Sequence, residues 1–508
     1  MIIPEMLNVR VDNRLRFQAG DVPEWVVERL KEAFTHNNPE YQSKQAMGFY
    51  VGRVPRFIET WKLRAGEMSL PRGGAKRFRA LLDEAGVAPR YEMRMSDGAP
   101  ASFPAHRITL EPFQQRVVDG VLSRHNCLVQ CSTGSGKTTM GINLISRLQR
   151  TTIVMLWTGA LLKQWQDRIV AELGMSRRDV GIIGGGAYDP KPLTLAMQQT
   201  VYSMLKRGDQ RVAELFSYFG LFIADEVQRW GADSLIACTE PFSARYRVGM
   251  SADASRHDRR EFLIYDVFGG VATEVSTEQL VADGVVLDVA VRVVLTDFEA
   301  DWYREEFLED GSPNPHYQDF NALLDAMCAD PERNAVVLDL IERGVKDGSV
   351  LVFSHRVEHC RLLDSLCLTR NIQSGLMIGG LAESRTFKDT KERLTDGRAK
   401  VGIGTYGAIG QGIDVPAVSR GVVATPVNNN RQKFGQARGR MARANRAGSA
   451  DAELWYALDH KVFGLKPLRN LASWNKVVTV WVDGRWVDAR EYLANARREA
   501  SLFGDQQA

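Results

Sequence analysis

Residues 127–138 read Cys-Leu-Val-Gln-Cys-Ser-Thr-Gly-Ser-Gly-Lys-Thr, and this stretch is the most informative about the protein's architecture. Its first four residues form a short apolar run that is typical of a buried strand. After the glycine-rich turn, apolar residues return at Ile142, Ile145 and Leu148, a spacing that predicts one face of a helix. A strand, a glycine-rich turn and a helix N-terminus in this order are the context of a phosphate-binding loop.

This loop supplies the groups that bind a nucleoside triphosphate. Backbone N–H groups of the turn close around phosphates, and the helix dipole adds favourable potential. Lys137 is placed to neutralise the β- and γ-phosphates, and Thr138 to bind Mg²⁺. The strict pattern has glycine where Cys131 stands, so a glycine-serine loop that contains lysine by coincidence is the alternative; the strand and helix around it favour ATP. We assign the nucleotide to Gly134, Ser135, Gly136, Lys137, Thr138 and Thr139.

A pair of carboxylates follows the phosphate-binding loop by about ninety residues. Leu221–Ala224 reads as a buried strand, and Asp225 and Glu226 come directly after it. A parallel strand delivers its C-terminal residues to the crevice in which ligands bind. We expect Asp225 to hold Mg²⁺ through water and Glu226 to polarise the attacking water.

Composition limits the class of protein. The 508 residues carry a net charge of only +3, which argues against a binder whose affinity rests on overall charge. No apolar run approaches the roughly 20 residues that span a bilayer, and no secretory signal is visible. The six cysteines are scattered without a C-x-x-C pair, which predicts a reducing cytosol without disulfides or a zinc site.

Alternating strand and helix patterns divide the chain. They predict an α/β protein with two tandem P-loop-type units built on parallel sheets, a small α+β N-terminal domain and a short C-terminal hairpin and helix. Asp483-Gly484 predicts a type I′ turn in that hairpin, which is either a strand-separating pin or clamp for DNA, or a stabilising appendage of the second unit. The predicted domains are residues 1–105, 106–295, 296–460 and 461–508.

Taken together, the motifs resemble those of a superfamily 2 helicase, in order, over more than three hundred positions. The resemblance implies two RecA-like domains that use ATP and Mg²⁺. The stretches that carry it besides the phosphate-binding loop and Asp225-Glu226 are Leu110–Gln114, Thr158–Trp165, Gly249–Asp253, Val350–His359, Gly404–Asp414 and Gln436–Arg443.

The resemblance assigns roles that spacing alone does not give. Gln114 is implied to read the adenine and Gln436 to sense the nucleotide. Gly412 and Asp414 are implied to contact the nucleotide, with Asp414 at its ribose. Arg440 and Arg443 share one helix face, and their forked guanidinium groups suit the charge that develops on a transferred phosphoryl group. Implied nucleic-acid contacts are Thr158, Thr200, Ser354, Arg356 and Thr405, and implied coupling residues are Gln228, Ser251 and Asp253.

Two departures concern coupling. Gln228 stands where many relatives carry histidine, and an amide can still donate and accept in a network. Asp253 replaces the usual threonine, and a carboxylate there could repel a phosphate. This departure puts the coupling of hydrolysis to movement in doubt more than hydrolysis itself.

The flanking residues are similar to the XPB-related branch, including phage branch-migration helicases of the UvsW type. Gln164-Trp165, residues 330–334 and residues 356–359 carry this similarity. DEAD-box RNA helicases would read Asp-Glu-Ala-Asp at the carboxylate pair, and iron–sulfur relatives would need a clustered cysteine quartet.

A basic stretch lies in the N-terminal domain. Residues 52–82 contain eight Lys or Arg and two Glu, which leaves +6. Aromatic residues interleave there, so Arg53, Arg56, Trp61 and Arg72 are candidate DNA contacts, with Arg72 exposed by the turn at residues 70–74. The alternative is a solvated basic face over an ordinary aromatic core.

We therefore predict a cytoplasmic, ATP-dependent DNA helicase or translocase that remodels forked or branched DNA in replication, recombination or repair. Its expected partner is single-stranded, forked or branched DNA, it needs no membrane, and it is expected to act as a monomer. The alternatives are an RNA helicase, a restriction-type translocase, or a nucleotide-gated DNA-binding scaffold whose ATPase is uncoupled.

Overall fold

The computed structural model describes residues 6–132, 134–254, 256, 258–307, 314–378, 385–410, 418–427, 431–442 and 451–502. These residues form two compact units, the first ending at Ser276 and the second beginning at Thr277. Each unit is built around one large parallel sheet, which confirms the predicted fold class.

The first unit begins with a small mixed sheet and its two packed helices. The sheet has the order β5-β6-β2-β1-β7, with β3 and β4 as a separate two-stranded ribbon. Alternate residues of β1 and β2 point into an apolar core that also includes Phe78. Its elements are β1 (Met6–Val11), β2 (Arg14–Gln18), α1 (Glu24–Ala33), β3 (Thr35–Asn37), α2 (Pro39–Ala46), β4 (Phe57–Glu59), β5 (Lys62–Arg64), β6 (Glu67–Pro71), α3 (Ala75–Glu84) and β7 (Ala88–Met93).

The large sheet of the first unit follows. Its elements are α4 (Pro112–Arg124), β8 (Asn126–Cys131), α5 (Lys137–Leu148), β9 (Thr152–Leu156), α6 (Gly159–Leu173), β10 (Val180–Gly184), β11 (Ala187–Asp189), β12 (Leu193–Met197), α7 (Gln198–Lys206), α8 (Arg211–Tyr218), β13 (Leu221–Asp225), α9 (Ala232–Thr239), β14 (Tyr246–Ser251), α10 (Phe262–Phe268) and β15 (Val271–Val275). The strand order is β11-β10-β12-β9-β13-β14-β8-β15, and of the described strand pairs in this sheet only β10–β11 is antiparallel.

The strand order positions the site. Strands β13, β14 and β8 are consecutive neighbours and run parallel. Their carboxyl ends therefore meet at one edge of the sheet. Asp225 ends β13, Ser251 ends β14, and the phosphate-binding loop leaves β8 after Cys131. Residues far apart in the chain are thus brought together by the sheet itself.

The second unit repeats the α/β pattern. Its elements are α11 (Thr277–Ala282), β16 (Val289–Leu295), α12 (Phe320–Ala329), α13 (Pro331–Lys346), β17 (Val350–Ser354), α14 (Val357–Thr369), β18 (Ser374–Met377), α15 (Arg385–Thr395), β19 (Val401–Thr405), α16 (Tyr406–Gly410), β20 (Arg420–Val423), α17 (Arg431–Met441), β21 (Ala452–Leu458), α18 (His460–Phe463), α19 (Lys466–Trp474), β22 (Val478–Val482), β23 (Arg485–Asp488) and α20 (Ala489–Leu502). The strand order is β18-β19-β17-β20-β21-β16-β22-β23.

One expected boundary needs correction. The prediction assigned residues 289–295 to the first helicase domain, whereas β16 pairs with β21 and β22 in the second sheet. An isolated apolar strand shows no partner in its sequence, so its sheet could not be chosen before the pairing was known. The other expected boundaries remain a proposed division.

The C-terminal hairpin is the edge of the second sheet. Strands β22 and β23 pair antiparallel, and Asp483 and Gly484 both have positive φ, as a type I′ turn requires. The rings of Trp481 and Trp486 lie 5.1 Å apart across the hairpin. These contacts favour the interpretation of the hairpin as a stabilising part of the second unit.

Two global features bear on the expected class. In the described ranges, no helix is long and apolar enough to cross a membrane. All six cysteines lie in the described part of the chain, and each is buried and free.

Candidate ATP site and nucleic-acid contacts

The phosphate-binding loop has the backbone that its glycines permit. Gly134 and Gly136 adopt positive φ values of 96° and 82°. A Cβ at Gly136 would lie 2.4 Å from Nε2 of Gln114, so another residue there would displace the Gln114 amide as well as strain the backbone at a φ of +82°. Gly136 is also the N-cap of α5, so the free N–H groups of this helix point toward the loop.

Several polar groups in the loop fit phosphate oxygens. The hydroxyl oxygens of Ser132 and Ser135 are buried and have no hydrogen-bond partner within the described residues. The Nζ of Lys137 lies 2.8 Å from the carbonyl oxygen of Cys131 and 3.3 Å from that of Ser132. A lysine that caps its own loop is poised to exchange these carbonyls for a stronger anionic acceptor. The residues present therefore fit a nucleoside triphosphate.

Gln114 is tied to the same loop. Its Oε1 accepts from the N–H of Glu111 at 3.0 Å, which forms a capping box at the start of α4. Its Nε2 donates to the carbonyl of Ser135 at 2.8 Å. The residue expected to read the adenine thus also fixes the phosphate-binding loop. Contact with the base stays a prediction.

Thr139 does not face the expected ligand. Its hydroxyl is buried, accepts a hydrogen bond from Arg168 and lies 3.5 Å from Oε1 of Glu172, both on α6. The hydroxyl of Thr139 faces the neighbouring helix, because successive helix residues are about 100° apart, so a nucleotide contact of Thr139 stays a prediction for its backbone N–H alone. Thr138, the second residue of α5, is only partly buried and remains the candidate for Mg²⁺.

Asp225 is a buried carboxylate with two donors. The indole Nε1 of Trp165 donates to its Oδ2, and the N–H of Glu226 donates to its Oδ1, both at 2.9 Å. Burial and the neighbouring charge of Glu226 raise the pKa of Asp225 to about 6. The charged form is therefore costly at neutral pH until a cation compensates it.

A magnesium ion fits this arrangement. Mg²⁺ commonly binds through one or two carboxylates together with substrate phosphates and water. Thr138 and Asp225 are the groups that would hold it. Among the described residues, no cluster of three or more Asp, Glu, His or Cys could hold a metal without such help.

Glu226 begins a chain of polar contacts. Its φ of +51° is uncommon for a residue other than glycine, and such strain is often found at functional sites. Its Oε2 accepts from Nε2 of Gln228 at 2.6 Å, and Oε1 of Gln228 lies 2.6 Å from the hydroxyl of Ser251. That hydroxyl also accepts from the N–H of Asp253 at 3.2 Å. The predicted catalytic carboxylate and the predicted coupling residues are therefore in direct contact.

Trp165 was not among the predicted site residues. It is fully buried between α5 and β13: a Cβ at Gly141 would lie 2.5 Å from its ring, while its Nε1 holds Asp225. The signal that could have found it is a large aromatic residue about two turns after Thr158, in the stretch Thr158–Trp165 that resembles a helicase motif. Thr158 itself is the N-cap of α6 and accepts from the N–H of Leu161 at 3.2 Å.

The remaining expected contact of the first large sheet is Thr200. It lies partly buried in α7, which follows β12. Its contact with nucleic acid stays a prediction, as does that of Thr158.

In the second unit, the predicted contacts lie at neighbouring strand ends. Ser354 and Thr405 are register partners on β17 and β19. Ser354 is fully buried, and its hydroxyl lies 2.9 Å from Nδ1 of His359. This burial contradicts a direct contact of Ser354 with nucleic acid. Arg356 is one-third exposed and pairs with Asp325 at 2.6 Å.

The stretches that indicated the subfamily have a structural role. Arg333 and Asp459 form a fully buried ion pair at 2.7 Å. Oδ1 of Asn334 lies 2.9 Å from Nε2 of His359, where it accepts from the N–H form of the ring. Burial lowers the pKa of His359 to about 3, so the ring is neutral in this network. These residues hold β17 and the helices around it in place.

The arginine helix is described only in part. Arg440 lies half-buried on α17, and Gln436 belongs to the same helix. The predictions for Gly412, Asp414 and Arg443 fall outside the described residues, as does the side chain of Gln436.

The N-terminal candidates separate into two groups. Arg53 and Arg56 are exposed, whereas Trp61 is partly buried and donates from Nε1 to Thr35 Oγ1 at 3.0 Å. Arg72 is 5% exposed, and its guanidinium donates to the carbonyls of Ala244 and Arg245. The prediction that Arg72 is exposed for DNA was wrong, because the turn is packed against the sheet of the same unit.

Two family models match the chain. The model described as the type III restriction enzyme res subunit matches residues 107–256, and the model described as the helicase conserved C-terminal domain matches residues 332–445. These ranges contain the sites described above on each of the two large sheets.

Similar proteins include the "DNA 3′-5′ translocase XPB2" of Sulfurisphaera tokodaii, which is 25% identical over 375 residues, covering 69% of this chain and 82% of the relative. The "DNA 3′-5′ helicase XPB" of Kineococcus radiotolerans is 27% identical over 195 residues, covering 37% of this chain. The match spans only 35% of the length of that second relative.

One solved structure with the same fold and a second, more distant structural match are as follows. Dbp5 of S. cerevisiae bound to RNA and ADP BeF3 has a TM-score of 0.52 at 15% identity, covering 77% of this chain and 93% of that one. T4 UvsW has a TM-score of 0.42 at 17% identity, covering 93% and 98%.

Proposed function

We infer that the chain is a superfamily 2 helicase of the XPB-related branch, and on that premise we propose that it hydrolyses ATP to move along DNA and to remodel forked or branched DNA. The observation that carries the proposal is the contact chain from Glu226 through Gln228 to Ser251. This contact chain joins Glu226, which activates the attacking water, to Ser251 at the end of β14, the strand end that is expected to respond to movement. ATP and Mg²⁺ are the cofactors of this enzyme class.

The residues of the first unit divide the work of hydrolysis. The N–H groups at the start of α5 and the ammonium group of Lys137 bind the phosphates. Glu226 lies next to the buried Asp225, and a carboxylate in this position orients a water molecule and accepts its proton. Mg²⁺ supplies charge stabilisation at the phosphates when it is bound.

The contact chain also supports coupling. Gln228 donates to Glu226 through its amide nitrogen and reaches Ser251 through its oxygen, so a rotation of this one side chain would disturb both ends. Gln228 therefore provides the link between Glu226 and Ser251 at a position where many relatives carry histidine. The backbone N–H of Asp253 donates to the Ser251 hydroxyl at 3.2 Å, which fixes the loop after β14 to Ser251.

The nucleic acid and the direction of movement are inferred from two sources. The relatives are named as DNA 3′-5′ translocase and DNA 3′-5′ helicase, which supports DNA and 3′-to-5′ polarity for this chain. The exposed Arg53 and Arg56 support a DNA-engaging role of the N-terminal sheet. We propose branch migration and fork reversal as the reactions, because they need both directional movement on DNA and an N-terminal sheet that engages DNA.

The test compares stimulation of ATP hydrolysis by single-stranded DNA, forked DNA, a four-way junction and RNA. Forked or four-way DNA is expected to stimulate hydrolysis most. With ATP, the protein is expected to displace streptavidin from the 5′ end of a biotinylated single strand faster than from the 3′ end, as movement from 3′ to 5′ requires. Strongest stimulation by RNA would overturn the substrate class.

A restriction-type translocase is the second candidate, because the family model of the first unit carries that description. Such an enzyme would be stimulated by long blunt duplex without separating its strands. Strand separation or junction movement on the forked substrate excludes this candidate.

A further inference from the structure

Residues 47–57, between α2 and β4, form a loop that presents aromatic side chains to solvent; we call it the aromatic loop. Phe49 is 64% exposed, Tyr50 91% and Phe57 44%. Met47 adds a fourth large apolar side chain at 65%. Clustered exposure of this kind indicates an interaction site, whereas single exposed apolar residues do not.

The loop has a defined shape. Asn38, which is 2% exposed, donates from Nδ2 to the carbonyl of Pro55 at 2.8 Å and from its backbone N–H to the carbonyl of Arg56 at 3.0 Å. The N–H of Phe49 bonds to the carbonyl of Lys44 at 2.9 Å. Both ends of the loop are therefore fixed, and the aromatic side chains are held outward by ordered backbone.

The base of the loop is attached to the ATP-binding sheet. Arg260 lies between β14 and α10, and its guanidinium donates to Oδ1 of Asn38 at 2.9 Å and to Oε2 of Glu40 at 3.0 Å. Arg260 follows the coupling residue Ser251 by only nine positions. The base of the aromatic loop is thus hydrogen-bonded to the segment that follows β14, the strand that ends at Ser251.

The charge of the loop selects its partner. Within residues 47–57 the charged residues are Arg53 and Arg56, with no Asp or Glu, which gives +2. Lys44 on the preceding helix pairs with Glu40 at 2.9 Å. The guanidinium of Arg56 lies 5.1 Å from the centre of the Phe57 ring. Aromatic rings beside cations are the combination that binds single-stranded nucleic acid, because bases stack on the rings and phosphates pair with the cations.

We propose that the aromatic loop is a binding site for unpaired nucleobases, with Phe49 and Tyr50 as the stacking surfaces and Arg53 and Arg56 as the phosphate contacts. This inference rests on the proposed function, since it names the part of the DNA that the N-terminal sheet engages. Two positive charges without a negative one in the loop favour a polyanion over an apolar peptide. A base of any identity can stack on such a ring, because every base has a π-face. We therefore expect binding that does not depend on the base sequence.

The test uses the full chain and measures fluorescence anisotropy with a single-stranded oligonucleotide and with a blunt duplex of the same length. The Phe49→Ala/Tyr50→Ala variant is expected to bind the single strand about tenfold more weakly, because alanine in place of a stacking ring costs on that order. Its affinity for blunt duplex is expected to change less than twofold. Phe49→Tyr/Tyr50→Phe, which keeps both rings, is expected to bind like the parent.

Trp25→Ala is the matched control, because Trp25 is 43% exposed on α1 of the same sheet and lies outside the loop. An unchanged affinity of the double alanine variant for single strands would overturn the proposal. An equal loss for single strand and duplex would also overturn it, since unpaired bases would not be the ligand. Loss of binding to phosphatidylserine vesicles with DNA binding intact would assign the loop to a lipid surface and reject the proposal.

A second measurement separates this inference from the proposed function. Ultraviolet cross-linking to DNA that carries 5-iodouracil in its unpaired segment is expected to label residues 49 and 50. Labelling elsewhere, with DNA-stimulated ATP hydrolysis present, would reject the loop alone. Absence of any DNA-stimulated hydrolysis in the parent would reject the proposed function, whichever residues are labelled.

Discussion

The indole Nε1 of Trp165 lies 2.9 Å from Oδ2 of Asp225, and the indole ring packs on Gly141 of the helix that begins at the phosphate-binding loop. Trp165 stands on α6, whose N-cap is Thr158. One side chain therefore joins the helix that is expected to contact the DNA backbone to the carboxylate that is expected to hold Mg²⁺.

The first prediction concerns this contact. Trp165→Phe keeps an aromatic side chain, although a smaller one, and removes the donor, which leaves one oxygen of a buried carboxylate without its partner. We expect DNA-stimulated ATP hydrolysis to fall about tenfold, with the affinity for Mg²⁺–ATP, measured by equilibrium dialysis, reduced as well. Trp25→Phe on the exposed face of α1 is the control, and equal loss in both variants would contradict the role of the hydrogen bond.

The second prediction concerns coupling. Ser251→Ala removes the hydroxyl that contacts Gln228 at 2.6 Å. We expect the basal rate of ATP hydrolysis to stay within about threefold, while strands separated per ATP fall at least tenfold, because the catalytic carboxylate is intact and its link to β14 is lost. Ser123→Ala, at an exposed serine of α4, is the control. A proportional fall of hydrolysis and strand separation would show that Ser251 serves hydrolysis instead.

The third prediction concerns the attachment of the N-terminal sheet. Asp266 is 1% exposed and accepts from Thr60 at 2.6 Å and from the ring of His36 at 3.0 Å, and it pairs with Arg77. Burial alone would raise the pKa of Asp266, but the hydrogen bond from His36, the charge of Arg77 and the bond from Thr60 together lower it. The folded state therefore favours the charged carboxylate.

The sign of the pH effect follows from this direction. A carboxylate with a lowered folded-state pKa adds stability above its unfolded pKa of about 3.9 and loses it as the pH falls through the folded value. Asp266→Asn is expected to lower the free energy of unfolding of the first unit by on the order of 2 kcal/mol at pH 7. In melting curves, the difference from the parent shrinks below about pH 4. A constant difference down to pH 3, or the same loss in Asp167→Asn, would reject this assignment.

Sequence patterns were sufficient for the parts of the site that depend on local order. The phosphate-binding loop, Asp225 and Ser251 each follow a recognisable strand, and parallel pairing necessarily brings such strand ends to one edge. The contacts of Trp165 and Arg72 depend on residues 60 and 172 positions away. No local pattern encodes these partners.

Burial was the property that the sequence concealed. A Pro-Arg-Gly-Gly turn reads the same whether its arginine faces water or the carbonyls of a neighbouring loop, and Arg72 does the latter. Ser354 and Thr405 each stand at the end of an apolar strand. Ser354 is fully buried against His359, whereas Thr405 is only partly buried. The exposed rings of Phe49 and Tyr50 gave no signal either, because aromatic residues are usually core residues.

The assignment of the ATP site to an enzyme driven by DNA is best tested by the steady-state rate of ATP hydrolysis with and without forked DNA, in the parent, Lys137→Ala and Glu226→Gln. We expect strong stimulation of the parent and a loss of at least a hundredfold in both variants, with Glu226→Gln still binding ATP, because only its proton acceptor is removed. Equal hydrolysis in the variants would contradict the assignment of the ATP site, and intact DNA binding by a parent that shows no stimulated turnover would identify a nucleotide-gated scaffold instead.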